Sequence, residues 1–301
     1  MAKPVVFVLD PYHAEARKRL EESSIVDYVY RDDPRATKWR SEATAIMIRS
    51  ETKVTSSDLD QVAKLKLIVK QGVGVDNIDL DAAKKRGIAV CNTPALNSES
   101  VAELTITLAL CVARRIAELD RRVRSGEAIV RSTALGKVVA QKWIAAMGGT
   151  VIAYDPFVSE EAWPDISHRR VTSLEELLVN ADVVSLHVPL TSGTKNMMGR
   201  QQFDQMKKNA IFINAARGGT VDESAVLEAL TTGKLYGAAL DAMEVEPPTT
   251  EAYHELLQNG NLIMTPHIGA NTIENQIISG TAVAETVLAV LEGKEVPNRL
   301  V

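Results

Sequence analysis

The chain has 301 residues, enough for one large or two ordinary domains, and 46% of them are hydrophobic, so a sizeable core can form. Aromatic residues make up only 4%, which leaves Val, Ile, Leu and Ala to fill that core, as in parallel-sheet α/β proteins. The net charge of −5 argues against a general nucleic-acid binder, and no apolar run reaches the ~18 residues of a membrane span.

The two cysteines, Cys91 and Cys111, form neither a metal spacing nor a disulfide framework, and each reads as a small apolar residue. The N-terminal apolar stretch is too short for a signal peptide and runs directly into a strand pattern. The simplest expectation is a cytoplasmic protein with no metal and no membrane or nucleic-acid partner.

Along the chain, "PVVFVLD" predicts a strand and "AEARKRLEES" a helix; "YVYRDDPRATKWRSEA" reads as a linker. "ATAIMIRS" is a second strand, and "SDLDQVAKL" a helix capped by Ser57. "LKLIVKQGVGVDNIDL" is a strand with a glycine-bearing turn, and "LDAAKKRGIAVCNTP" gives helix, glycine, strand. This alternation implies a small parallel sheet. Residues 97–127 then predict one long helix, apolar at i, i+3 and i+4.

From Gly149 the alternation resumes with five strands: "TVIAYDP", "ADVVSLHVPLT", "NAIFINAARGG", "LYGAALDAME" and "NLIMTPHIGA". The helical stretches "SLEELLVN", "GRQQFDQM" and "DESAVLEALTTG" lie between them, and an amphipathic helix follows the last strand. That helix is expected to return to the first domain. The reading is α/β, with two Rossmann-like, doubly wound parallel-sheet domains. The first takes residues 1–96 and 273–301 and is discontinuous; the second takes 97–272.

Ligands of such sheets bind beyond the C-terminal ends of the strands. There this sequence places Asp155, His187, Arg217, Asp241, Glu246 and His267. An Arg can hold a carboxylate through two parallel N–H bonds. A His can exchange the proton of an adjacent hydroxyl near neutral pH, and a nearby Glu orients it. Singly, each has a bland reading: a salt-bridged Arg, a solvated His, a turn-capping Glu. Together, at consecutive strand ends, they point to a site for oxidising a 2-hydroxy acid with a nicotinamide to take the hydride.

"ADVVSLHVPLTSGTKNMM", "MKKNAIFINAARGGTVDESAVLEAL", "GVGVDNIDL", "NTPALNSESVAEL" and "TPHIGANT" together resemble the D-isomer-specific 2-hydroxyacid dehydrogenases over nearly the whole chain. The nearest branch holds the 3-phosphoglycerate dehydrogenases and the hydroxypyruvate and glyoxylate reductases. The resemblance implies that Arg217 binds the substrate carboxylate and keto oxygen, that His267 donates or accepts the proton, and that Glu246 partners the His. It implies NAD as cofactor, with Gly136, Asp155, Val188, Pro189, Thr194, Ala215, Asp241 and Gly269 in its binding site. Arg49, Lys70, Val73 and Gly74 match the substrate-binding positions, although Lys70 keeps a charge without a forked geometry. The family implies a homodimer. Asn271 stands where the family usually has Ser or Thr.

The dinucleotide fingerprint departs from the pattern. Gly136 lies about 20 residues before Asp155, the interval that separates a last glycine from a ribose-binding acid. The first two glycine positions, however, fall on Arg131 and Thr133. Neither residue supplies the tight turn and close pyrophosphate approach of G-x-G-x-x-G. The central strand of the sheet is therefore missing upstream of Ala134. The sequence reads as short by one segment there; a shortened form that binds no cofactor and a rebuilt site are the other readings. A non-catalytic, NAD-sensing protein on the same fold, like the transcriptional corepressors related to this family, is the competing function.

Overall fold

The computed structural model describes residues 3–130, 134, 150–159 and 167–301. The chain divides into two compact units, Met1–Ser100 with Ala270–Val301, and Val101–Gly269. Both are α/β with parallel sheets.

The first unit holds a five-stranded sheet: β1 (Val5–Val8), β2 (Asp27–Tyr30), β3 (Ala45–Ile48), β4 (Leu67–Lys70) and β5 (Ala89–Asn92). Its order is β2-β1-β3-β4-β5, and every pair is parallel. Alternate residues of each strand point to opposite faces. Phe7, Ile46, Ile48, Ile68 and Val90 enter a core with Leu59, Ala82 and Ala83, from helices α3 (Ser56–Asp60) and α4 (Leu80–Lys85). Their neighbours Val6, Val8, Met47, Val69 and Cys91 face the other way. There they meet Leu20 of α1 (Ala14–Glu21) and Val283, Ala284 and Val287 of the C-terminal helix (Ile273–Leu291). The last helix thus belongs to the first unit, which is discontinuous in sequence.

Two local expectations change. The stretch read as a linker contains β2, a 3-10 turn at Pro34–Lys38 and a short helix, α2 (Trp39–Glu42). Trp39 is 6% exposed and packs under the sheet, so this stretch supplies core. The α3 helix is capped by Thr55 rather than Ser57. Thr55 and Asp58 exchange side-chain and backbone bonds in a capping box.

The single long helix expected over 97–127 is two helices, α5 (Ser98–Ala113) and α6 (Ile116–Arg124). Arg115 between them is left-handed, with φ at 57°. Its guanidinium grips the Glu118 carboxylate at 2.5 and 2.7 Å, and Tyr236 donates to the carbonyl of Ala113. Helical periodicity cannot register such a break, because side chains on both sides keep the apolar spacing.

In the second unit, β8 (Val183–Leu186), β9 (Ala210–Asn214), β10 (Leu235–Leu240) and β11 (Leu262–Met264) form a parallel sheet in the order β11-β10-β9-β8. Helices α7 (Leu174–Asn180), α8 (Arg200–Gln205) and α9 (Glu223–Thr231) cover one face through Leu178, Phe203 and Val226. The α5 helix covers the other face through Leu108, Ala109 and Val112.

The remaining strands, β6 (Ile152–Ala153) and β7 (Arg169–Arg170), form a separate parallel pair. The β7 strand carries two arginines and has no apolar run to announce it. Among the described residues nothing pairs with the outer edge of β8. In a doubly wound nucleotide-binding sheet the first strand lies between the second and the fourth. Residues 131–133 and 135–149, where the sequence departs from the glycine pattern, lie outside the described residues. Glu127–Val130 and Ala134 carry no regular secondary structure.

Cys91 is fully buried, and burial pushes its thiol up to about 12. Cys111 is partly exposed. Because the thiolate is the nucleophile, native alkylation with iodoacetamide near pH 8 is expected to label Cys111 and spare Cys91, as read by peptide mass mapping.

Candidate active site

The strand ends of the second unit are organised by two buried polar side chains. Asn214 ends β9 with no exposure. Its Oδ1 accepts the Ala216 N–H at 3.1 Å, and its Nδ2 donates to the carbonyls of Arg217 (2.9 Å) and Ala242 (3.2 Å). Thr220 adds a hydroxyl to the same Arg217 carbonyl at 2.6 Å. The Arg217 backbone is thus fixed on both sides, and its Nη1 donates to the Ala216 carbonyl at 2.7 Å. The next residue, Gly218, passes so close to β10's exit that a Cβ there would stand 2.0 Å from the Met243 carbonyl oxygen. Only glycine allows that approach.

Asp241, just past β10, is the second. It is fully buried, and its carboxylate accepts from Thr265 Oγ1 at 2.6 Å, Ile268 N–H at 2.9 Å and Gly269 N–H at 2.9 Å. These bonds close the turn after β11 around His267, whose φ is 55°. A non-glycine residue in the left-handed region is uncommon and persists when its surroundings over-determine it.

The His267 side chain meets Glu246. Its Nδ1 lies 3.1 and 3.0 Å from the two carboxylate oxygens. An Nδ1–H donating to a carboxylate leaves Nε2 as the nitrogen able to exchange a proton with a ligand. Burial acts to raise the Glu246 carboxyl. The His267 ring, the Met243 N–H and the Arg217 charge outweigh it and hold it below its ordinary value. Arg217, Glu246 and His267 therefore come together at the ends of three adjacent strands.

The other residues singled out in the sequence fall as follows. Asp155 follows β6, and its Oδ1 accepts the Phe157 N–H at 2.9 Å. Val188, Pro189 and Thr194 share the loop after β8, where Thr194 Oγ1 donates to the Pro189 carbonyl and accepts the Thr191 N–H. His187 in the same loop bonds Ser185 through Nε2 at 2.9 Å. Ala215 is buried at 8% exposure, and Gly269 is held through its N–H by Asp241. Gly136 lies outside the described residues.

In the first unit, Lys70 is 4% exposed, and its Nζ donates to the Gln71 carbonyl at 2.9 Å. Arg49 reaches the Pro11 carbonyl at 3.0 Å. Val73 is exposed, with its carbonyl tied to Asn92, and Gly74 follows in the same loop. Among the described residues no group of three His, Cys, Asp or Glu could hold a metal ion, and no helix is long and apolar enough to cross a membrane. Sequence reading missed Asn214 and the inward direction of Asp241. A polar residue closing an all-apolar strand was the available signal for both.

Residues 128–269 match the model of the D-isomer specific 2-hydroxyacid dehydrogenase NAD binding domain. The chain is 41% identical to a D-3-phosphoglycerate dehydrogenase of Methanocaldococcus jannaschii, a match covering 97% of this chain and 58% of that one. It is 38% identical to a hydroxypyruvate reductase of Thermotoga maritima, covering 95% and 98%. It thus spans less than three fifths of the first relative and almost all of the second. The crystal structure of the TT0316 protein from Thermus thermophilus superposes with a TM-score of 0.87 at 33% identity, covering 99% of this chain and 100% of that one.

Asp241→Asn puts an NH2 group opposite N–H donors. It is expected to cost roughly 1–3 kcal/mol of stability, seen as a lowered unfolding midpoint by calorimetry.

Proposed function

Because the chain belongs to the D-isomer specific 2-hydroxyacid dehydrogenase family, we propose that it is an NAD-dependent oxidoreductase interconverting small 2-keto acids and D-2-hydroxy acids. The observation that carries this is the His267–Glu246 pair beside Arg217 at three adjacent strand ends.

In the reduction, Arg217 holds the substrate carboxylate and polarises the keto oxygen. His267 donates its Nε2 proton to that oxygen as the alcohol forms, and in oxidation it takes the proton back. The Glu246 carboxylate fixes the ring tautomer and compensates the imidazolium charge. A nicotinamide, when bound, would supply the hydride chemistry that these residues orient.

Asp155 fits the cofactor's ribose, where its carboxylate accepts hydroxyl donors and repels a 2′-phosphate. We assign the loop of Val188, Pro189 and Thr194, with Ala215 and Gly269, to the rest of the cofactor, and Asp241 to holding Gly269 in place. Arg49, Lys70 and the backbone of Val73 and Gly74 are the proposed substrate contacts of the first unit. The assembly proposed is a cytoplasmic homodimer, which light scattering of the purified protein checks.

The reading is tested by NADH oxidation with hydroxypyruvate, glyoxylate and phosphohydroxypyruvate. Turnover of at least one is expected; none with either NADH or NADPH overturns it. His267→Gln is expected to lower kcat by about 10²–10⁴-fold. Asp155→Ala is expected to narrow the preference for NADH over NADPH, read as the ratio of the two kcat/KM values.

A further inference from the structure

The loop that carries Glu246 has three successive backbone N–H groups, and a different side chain satisfies each. The Met243 N–H donates to Glu246 Oε1 at 3.0 Å. The Glu244 N–H donates to Glu223 Oε1 at 2.8 Å. The Val245 N–H donates to the Tyr253 hydroxyl oxygen at 2.8 Å. That hydroxyl in turn donates to Glu223 Oε1 at 3.4 Å. Tyr253 is 4% exposed and sits at the start of the short helix α10 (His254–Leu257). Glu223 is half-buried in the first turn of α9, next to its N-cap Asp222.

We propose that Glu223 and Tyr253 are positioning residues for the reaction: together they hold residues 244–245, and through them set the Glu246 carboxylate against His267 Nδ1. The proposal rests on the oxidoreductase reading and adds two residues that act through the Glu246 loop.

Three features point to positioning rather than to general packing. First, Glu223 and Tyr253 supply the acceptors for the N–H groups of Glu244 and Val245, one and two residues before the carboxylate that orients His267. Second, the bond directions fix the chemistry. The Tyr253 hydroxyl accepts from Val245, so its own proton goes to Glu223, and Glu223 must be an acceptor to both Tyr253 and Glu244. A carboxylate or an amide oxygen meets that requirement; an apolar side chain does not. Third, the Glu246 carboxylate's own bond to its loop reaches only the Met243 N–H, so the Glu244 and Val245 N–H groups depend on Glu223 and Tyr253. A residue that orients an acid/base group acts through geometry, and a misplacement of about 1 Å can cost roughly 100-fold in rate.

The test uses Glu223→Ala, Glu223→Gln and Tyr253→Phe in the full chain. Glu223→Ala and Tyr253→Phe are expected to lower kcat for keto-acid reduction ten- to one-hundredfold, with the KM for NADH within about twofold of the starting protein. Glu223→Gln keeps the acceptor oxygen and is expected to restore kcat to within threefold. A wild-type rate in Glu223→Ala, or an equal loss in Glu223→Gln, overturns the proposal.

A second readout does not depend on turnover. In long-range 1H–15N spectra of histidine-labelled protein, His267 is expected as the Nδ1–H tautomer in the starting protein and in Glu223→Gln. A tautomer mixture is expected in Glu223→Ala, and an unchanged tautomer there overturns the proposal. If the starting protein reduces no 2-keto acid but shows this tautomer pattern, the oxidoreductase reading fails and the positioning role stands.

Discussion

A single buried carboxylate does most to shape the site. Asp241 accepts from Thr265, Ile268 and Gly269 at once, and these bonds fold the turn after β11 back onto the end of β10. His267 sits inside that turn in a backbone conformation that β-carbon sterics disfavour. Its direction is set before any ligand arrives. Asn214 does the same one strand over, tying the Arg217 loop to Ala242. Arg217 and His267 thus stand on loops, but loops anchored to buried strand ends. That arrangement is what a preorganised site requires.

The other half of the unit carries the departure from the nucleotide-binding pattern. The β8 strand alternates between buried and partly exposed residues, whereas β9 beside it is buried throughout. A strand with neighbours on both sides and helices on both faces reads like β9. Among the described residues β8 is an edge, and β6 and β7 pair only with each other. The sequence carries no G-x-G-x-x-G, and Arg131 and Thr133 occupy the places of its first two glycines. The T. maritima match runs over more positions than the share of this chain it takes up, so that relative carries residues with no counterpart here. Arg217, Glu246 and His267 all lie among the described residues, whereas the glycine positions of the fingerprint lie outside them.

Much of this was legible in the sequence, for identifiable reasons. The strands announce themselves as short β-branched runs followed by turn residues, and the side chains proposed to react follow at once: Arg217 after "FINAA", Glu246 after "LDAMEV", His267 after "IMTP". What escaped was carried by bonds between distant residues. Glu223 looks like an ordinary first-turn acid of a helix, and Tyr253 like a surface aromatic. Their partners, Glu244 and Val245, lie 21 and 8 positions away. Asp241 was legible as a site residue, but a carboxylate facing a ligand and one facing its own backbone have the same sequence. The break at Arg115 was invisible because left-handed arginine has no sequence signature, and β7 because two arginines carry no apolar pattern.

The central claim is that His267 and Arg217 direct a hydride and a proton onto a 2-keto acid to give a D-2-hydroxy acid. The most direct measurement is the reduction of hydroxypyruvate or glyoxylate with NADH deuterated at both C4 positions, with the product analysed by mass and, for hydroxypyruvate, by chirality. The account predicts one deuterium at C2 and the D configuration. An unlabelled product, an L product, or no product from any of the 2-keto acids would contradict it.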